Sequence, residues 1–150
     1  MPRIDLREER MFAIDQQSYQ TLVAHARTEY PNEACALLGG HDHSVAKVYA
    51  LPNAEASPTF YVVEPKAQLQ AMNEMDELGM ELVGIFHSHT FTEAYPSRTD
   101  IELAGYPDAT YLILSLADLE APKLRGFTIR DGQVREIEVR VAPSPDPVGG

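Results

Sequence analysis

Apolar positions recur along this chain with two periods. Around residue 20, Tyr19, Leu22, Val23 and Ala26 fall three and four apart, the spacing of one helix face, and Asp15 stands where an N-cap belongs, so a helix is predicted from there to about Glu29. A short strand near Met11-Phe12-Ala13-Ile14 precedes it, and Tyr30-Pro31-Asn32 ends it. Glu33 to Leu38 is a compact apolar run that reads as a buried strand beginning with a carboxylate. Gly39 to Ser44 reads as a turn, and Ser44 to Leu51 as its antiparallel partner. Asn53 to Pro58 is a loop, and Thr59-Phe60-Tyr61-Val62-Val63 has strand composition.

The second half repeats the mixture. Pro65 suits the first position of a helix after Glu64; Leu69, Met72, Met75 and Leu78 are predicted to line one side of it, and Gly79 closes it. Glu81 to Phe86 predicts a central strand, a helix follows from about Ser97 to Ala104, and Thr110 to Leu116 is a strongly apolar strand. Leu124 to Arg130 and Val134 to Val141 flank Asp131-Gly132, a hairpin signal. There is no internal repeat and no linker. The expected fold class is α/β, a single mixed β-sheet flanked by helices, as one domain over residues 1–142 with a Pro/Gly-rich tail at 143–150.

Composition narrows the function. The formal net charge of -11 argues against a broad grip on phosphate backbone, so no nucleic acid is expected as a partner. No apolar run reaches membrane-spanning length and no secretory leader is evident, so a cytoplasmic protein with no membrane partner is expected. The one cysteine, Cys35, rules out an internal disulfide framework and a Cys-rich zinc site, so a metal would have to use His and carboxylates. Among its apolar neighbours Cys35 reads as a small buried hydrophobe, and His25 reads as a surface residue.

The candidate chemistry lies at the end of the central strand. His87 and His89 sit two apart, so in extended chain both imidazoles leave one face while Ser88 points to the other. Seven residues later Ser97-x-x-Asp100 opens a predicted helix, where residues three apart share a face. His87, His89 and Asp100 make three protein ligands and leave a fourth zinc position open for water, the catalytic rather than the structural pattern. Each part has a plainer reading. Ser97-x-x-Asp100 resembles a capping box, and a second pair, His41-Asp42-His43, has the same spacing in a turn with no apolar strand before it.

Taken jointly, His87-Ser88-His89, Ser97 and Asp100, with Glu33 upstream in Pro31-Asn32-Glu33-Ala34-Cys35-Ala36-Leu37-Leu38-Gly39, resemble the JAMM (MPN+) zinc metalloprotease signature. The resemblance runs from about Met11 to Val141. Asn53 to Tyr61 and the stretch from His87 to Asp100 are most similar to the bacterial Mec-type hydrolases, which remove cysteine from the C-terminal glycine of a ubiquitin-like sulfur-carrier protein in cysteine biosynthesis.

The resemblance implies a JAMM/MPN (cytidine-deaminase-like) fold, Zn2+ on His87, His89 and Asp100, Glu33 as general base and Ser97 as hydrogen-bond donor to the oxyanion. It also implies a sulfur-carrier partner with a C-terminal Gly-Gly. Two rivals stand beside it: a JAMM isopeptidase that removes a small ubiquitin-like modifier from protein lysines, and a non-catalytic MPN scaffold. Thr90 after the second histidine and the absence of Trp depart from the eukaryotic deubiquitinating relatives. The scaffold reading sits poorly with a full set of Glu33, His87, His89, Ser97 and Asp100. The terminal Gly149-Gly150 resembles the end of the carriers themselves; it reads as a flexible terminus, with entry into an active site as a further hypothesis.

Overall fold

The computed structural model describes residues 11–144. Among the described residues, seven strands and three helices follow in the order β1 (Met11–Asp15), α1 (Gln16–Glu29), β2 (Cys35–His41), β3 (Ser44–Leu51), α2 (Pro65–Glu77), β4 (Glu81–His89), α3 (Arg98–Leu103), β5 (Thr110–Ser115), β6 (Lys123–Arg130) and β7 (Gln133–Ala142). The strands form one mixed sheet in the order β1-β3-β2-β4-β5-β6-β7. β4 lies at its centre, antiparallel to β2 and parallel to β5. β1 closes the sheet on itself, pairing in parallel along its length with β7 and touching β3 through Ala13 and Ser44.

Helices cover both faces of this sheet. On one, Leu22 and Ala26 of α1 pack with Phe12, Ala36, Leu38, Phe86, Leu112 and Leu114. On the other, Ala71 and Met75 of α2 pack with Leu37, Leu51, Ile85 and Tyr111. The alternation along β4 therefore sends Phe86 toward α1 and Ile85 toward α2. Burial on both faces explains why β2, β4 and β5 read as nearly continuous apolar runs.

The local signals act as their chemistry requires. Asp15 caps α1 by accepting from Ser18 N at 3.3 Å. Glu64 caps α2 through Lys66 N and Ala67 N at 3.0 and 2.7 Å, with Pro65 at the first helical position. Asp131 and Gly132 take the positive φ angles (51° and 75°) of a tight hairpin turn between β6 and β7.

Four expectations are corrected. First, β2 runs through Gly39 and Gly40 to His41, and the turn is only Asp42-His43, both at positive φ. A Cβ at Gly40 would lie 1.9 Å from the Ser44 carbonyl oxygen, so glycine lets the two strands close up where a turn was expected. Second, Thr59 to Val63 forms no strand beyond a single bridge from Val63 to Asn53. Side chains take the backbone groups a ladder would need: Asn53 accepts from Val62 N and donates to Phe60 O, and Ser57 Oγ accepts from Thr59 N.

Third, α2 buries Ala71 and Met75, while Leu69 and Leu78 are 61% and 56% exposed. At about 100° per residue, Leu69 lies on the far side of the helix from Ala71. Fourth, His25 is half-buried rather than on the surface, its Nε2 donating to the Cys35 carbonyl at 2.9 Å. Of the tail, Pro143 and Ser144 are placed; Gly149-Gly150 lies outside the described residues.

Candidate metal centre

Three strands and one helix cap build the site. Cys35 of β2 and Ile113 of β5 flank His87 in register, and Ser115 of β5 stands beside His89. Both histidines are buried. Ser88, between them, turns to the opposite face, where its Oγ accepts from Ala34 N at 2.8 Å and helps fix the chain leaving Glu33. Hydrogen bonds to other segments anchor the connection from Thr90 to Pro96. Thr90 Oγ1 donates to the Pro58 carbonyl at 2.8 Å, and Ser115 Oγ donates to the Thr92 carbonyl at 2.6 Å.

That connection delivers α3 with its N-terminus facing the histidines. Ser97 is the N-cap: its Oγ accepts from Asp100 N at 3.0 Å, and Asp100 Oδ2 accepts from Ser97 N at 2.9 Å. The cap uses lone pairs of the Ser97 hydroxyl and leaves its proton free to donate elsewhere. The same Asp100 Oδ2 lies 3.1 Å from His87 Nε2 and 3.0 Å from His89 Nε2, and the two Nε2 atoms are 3.1 Å apart. The capping reading and the ligand reading of Asp100 thus meet on one oxygen.

The donor set fits a metal ion. His89 Nδ1–H donates to the Glu93 carbonyl at 2.8 Å, so in the neutral ring Nε2 carries only a lone pair. That lone pair faces a carboxylate oxygen, and two acceptors in contact need a proton or a cation between them. Zinc bonds of about 2.0–2.2 Å in tetrahedral array set ligand atoms about 3.3–3.6 Å apart, close to the spacing here. His87, His89 and Asp100 are the group among the described residues whose ligand atoms converge in this way.

The electrostatics carry the same tension. Burial opposes the charge of Asp100, but hydrogen bonds from His87 and His89 outweigh it and hold the carboxyl far below the usual range. Burial pushes His87 down, toward the neutral form a metal needs. Burial also works against charge on His89, but the Asp100 and Glu93 bonds together raise it. Glu33, only 5% exposed, is pushed up to about 8 from an ordinary 4.5 by burial first, with His89 lowering it and Asp100 raising it. A carboxyl poised near neutrality within the field of a ligand cluster is suited to proton transfer.

Cys35 is buried and free, its Sγ against the Leu51 and Pro52 carbonyls, and burial pushes its thiol up to about 12. It is not an activated nucleophile. His41 and His43 stand exposed on their turn, far along β2 from the cluster. Sequence reasoning missed the parts played by Asn53 and Tyr61. Asn53 Nδ2 donates to the Glu33 carbonyl at 3.0 Å, and the Tyr61 ring stacks on His87 with centroids 4.5 Å apart. Their stretch carries part of the family resemblance, but as local structure it reads as a loop followed by strand-like residues, and nothing local signals that it reaches Glu33 and His87.

A mixed sheet with a Ser97/Asp100 capping box closing a His-x-His strand end defines a metal-ready scaffold. The family of prokaryotic homologs of the JAB domain matches residues 15–129, and the chain belongs to it. A Mycobacterium tuberculosis protein named CysO-cysteine peptidase is 46% identical over 122 residues, covering 80% of this chain and 84% of that protein. A Haloferax volcanii protein named Desampylase is 30% identical over 102 residues, covering 63% of this chain and 73% of its own length. A solution structure from Desulfitobacterium hafniense superposes with a TM-score of 0.82 at 37% identity, covering 91% of this chain and 96% of that one. Family and site make this chain a hydrolytic, peptidase-type enzyme. No helix among the described residues is long and apolar enough to cross a membrane.

Proposed function

We propose that this chain is a zinc-dependent hydrolase that releases cysteine from the C-terminal glycine of a ubiquitin-like sulfur-carrier protein, working in the cytoplasm. The observation that carries the reading is the convergence of His87, His89 and Asp100 on one point in a chain 46% identical to a CysO-cysteine peptidase. The catalytic unit is residues 1–142, with 143–150 as a tail outside it.

In this reading His87, His89 and Asp100 hold Zn2+, which supplies Lewis-acid chemistry and brings the pKa of water toward about 7. Glu33 takes the proton of the attacking water and later delivers it to the leaving amine, and the burial that raises its carboxyl favours holding that proton between the two steps. Ser97 donates its free hydroxyl proton to the oxyanion that develops on the scissile carbonyl. Asp100 has two tasks, as a ligand and as half of the cap that fixes Ser97.

The test uses a carrier protein with cysteine coupled to its terminal glycine. Incubated with this enzyme, the carrier should lose the mass of one cysteine, and a zinc chelator should stop the loss. An unchanged carrier mass in the presence of zinc-loaded enzyme would overturn the substrate. The relative named Desampylase supports one second reading, cleavage of a small modifier from protein lysines. Release of a lysine-linked modifier in the same assay, with the cysteine adduct left intact, would select it.

A further inference from the structure

The two histidines are held in place differently. His89 has a hydrogen bond on its second ring nitrogen, the Glu93 carbonyl at 2.8 Å, which fixes both tautomer and plane. His87 has none: its Nδ1 is buried and meets no partner among the described residues. A metal-binding imidazole normally donates that N–H to an acceptor, and the bond sets the ring orientation. Without one, χ2 of histidine is a broad, soft torsion, and Nε2 would swing with it.

What meets the His87 ring is the face of Tyr61. The centroids are 4.5 Å apart and the planes differ by 20°, a stacked pair at the near end of the aromatic range. Tyr61 is itself pinned on both sides. Asn53 Nδ2 donates to the Phe60 carbonyl, and Asn53 Oδ1 accepts from Val62 N, each at 3.0 Å. The same Asn53 amide group donates to the Glu33 carbonyl at 3.0 Å. The ring over the ligand and the backbone of the buried carboxylate are thereby held by one side chain.

We propose that Tyr61 is a positioning residue: its ring sets the plane of the His87 imidazole by stacking, in place of the hydrogen bond that His87 Nδ1 lacks. The role rests on the metal reading above. A flat surface restrains ring rotation; a side chain of similar bulk without a flat face fills the same space and does not. The phenolic hydroxyl has no part in this, so phenylalanine serves as well as tyrosine.

Two measurements decide it. In the metal-free wild type, NMR should find the carbon-bound ring protons of His87 shifted upfield by the Tyr61 ring current, and Tyr61→Leu should abolish that displacement. Zinc affinity is then measured by competition with a chromophoric chelator, alongside the melting temperature of each metal-free variant. Tyr61→Phe should bind zinc within about 3-fold of wild type, whereas Tyr61→Leu and Tyr61→Ala should bind about 10- to 100-fold more weakly, the usual cost of losing an outer partner of a ligand. Tyr61→Leu with wild-type affinity would reduce the ring to a space-filler, and Tyr61→Phe with weakened affinity would move the role to the hydroxyl; either overturns the proposal. His87 protons at ordinary positions overturn it with no variant needed. A wild type that binds no zinc overturns the metal reading itself, and this role with it.

Discussion

The chain carries the pattern His-x-His twice, and the two copies have different surroundings. His87-Ser88-His89 ends a central strand paired on both sides, so its backbone is extended, its side chains alternate, and both rings are buried on one face. His41-Asp42-His43 leaves the end of β2 and enters a two-residue turn where Asp42 and His43 have φ of 51° and 61°. That backbone does not alternate, and all three residues are exposed. The first pair also meets Asp100, delivered by a helix cap, whereas the second belongs to no converging ligand group among the described residues. Spacing alone is weak evidence for a metal site. An extended backbone, burial and a third donor make it a group that could hold a metal ion.

The sharpest way to break this comparison is to remove donor side chains at each place. His89→Ala or Asp100→Ala should weaken zinc binding well beyond the about 10- to 100-fold that an outer partner costs, as read by metal content after dialysis. The double variant His41→Ala, His43→Ala should leave zinc content unchanged and stability within about 0.5 kcal/mol. Zinc retained without Asp100, or lost without His41 and His43, would reverse the assignment. Glu33→Gln should bind zinc fully and lose about 10²- to 10⁴-fold in turnover. Loss of the metal instead would make Glu33 a ligand.

Ser97 sharpens the contrast between a cap and a site. Ser97→Ala should cost about 1 kcal/mol of stability through the lost cap, and turnover about 10²- to 10³-fold through the lost oxyanion donor. Ser97→Gly separates the two, because glycine costs a cap only a few tenths of a kcal/mol while still lacking the hydroxyl. Equal turnover in Ser97→Gly and wild type would leave Ser97 a cap and nothing more.

The parts of the fold and the site that could be read in the sequence are those whose determinants are local. The strand alternation that separates Ser88 from the histidines, the Ser97-x-x-Asp100 box and the Asp131-Gly132 turn each depend on a few neighbouring residues. The unread parts depend on residues far apart in the chain. Closure of the sheet comes from β1 pairing with β7, more than 120 residues later. The burial of Ala71 beside the expected Met75, with Leu69 and Leu78 left exposed, is set by the sheet that α2 meets, not by hydrophobicity. The stretch from Thr59 to Val63 has strand composition, but Asn53 captures the backbone groups around Tyr61. The family resemblance rests on short motifs, so it pointed to His87, His89 and Asp100 as candidate ligands and said nothing of the Tyr61 ring stacked on His87.

Burial is the main difference between the two histidine pairs, and Glu33 gives a way to measure its effect. In the metal-free protein its carboxyl is raised from 4.5 to about 8, chiefly by burial, so the folded state holds this proton more tightly than the unfolded chain. Below about pH 4.5 both states are protonated and the difference in proton affinity contributes nothing. Between about 4.5 and 8 the folded state binds more protons, so stability falls as pH rises, and above about 8 the full cost of a buried carboxylate is present. Glu33→Gln removes an ionisable group and leaves its shape. It should therefore stabilise the metal-free protein by a few kcal/mol at pH 8.5 and by almost nothing at pH 4, since each tenfold difference in proton affinity between the two states is worth about 1.4 kcal/mol. Melting curves of the two proteins at both pH values give the answer. A gain that is equal at pH 4 and pH 8.5 would mean that glutamine simply packs better, and that the site does not strain the carboxylate. A gain confined to high pH that disappears on adding zinc would show the cation relieving the charge that burial penalises.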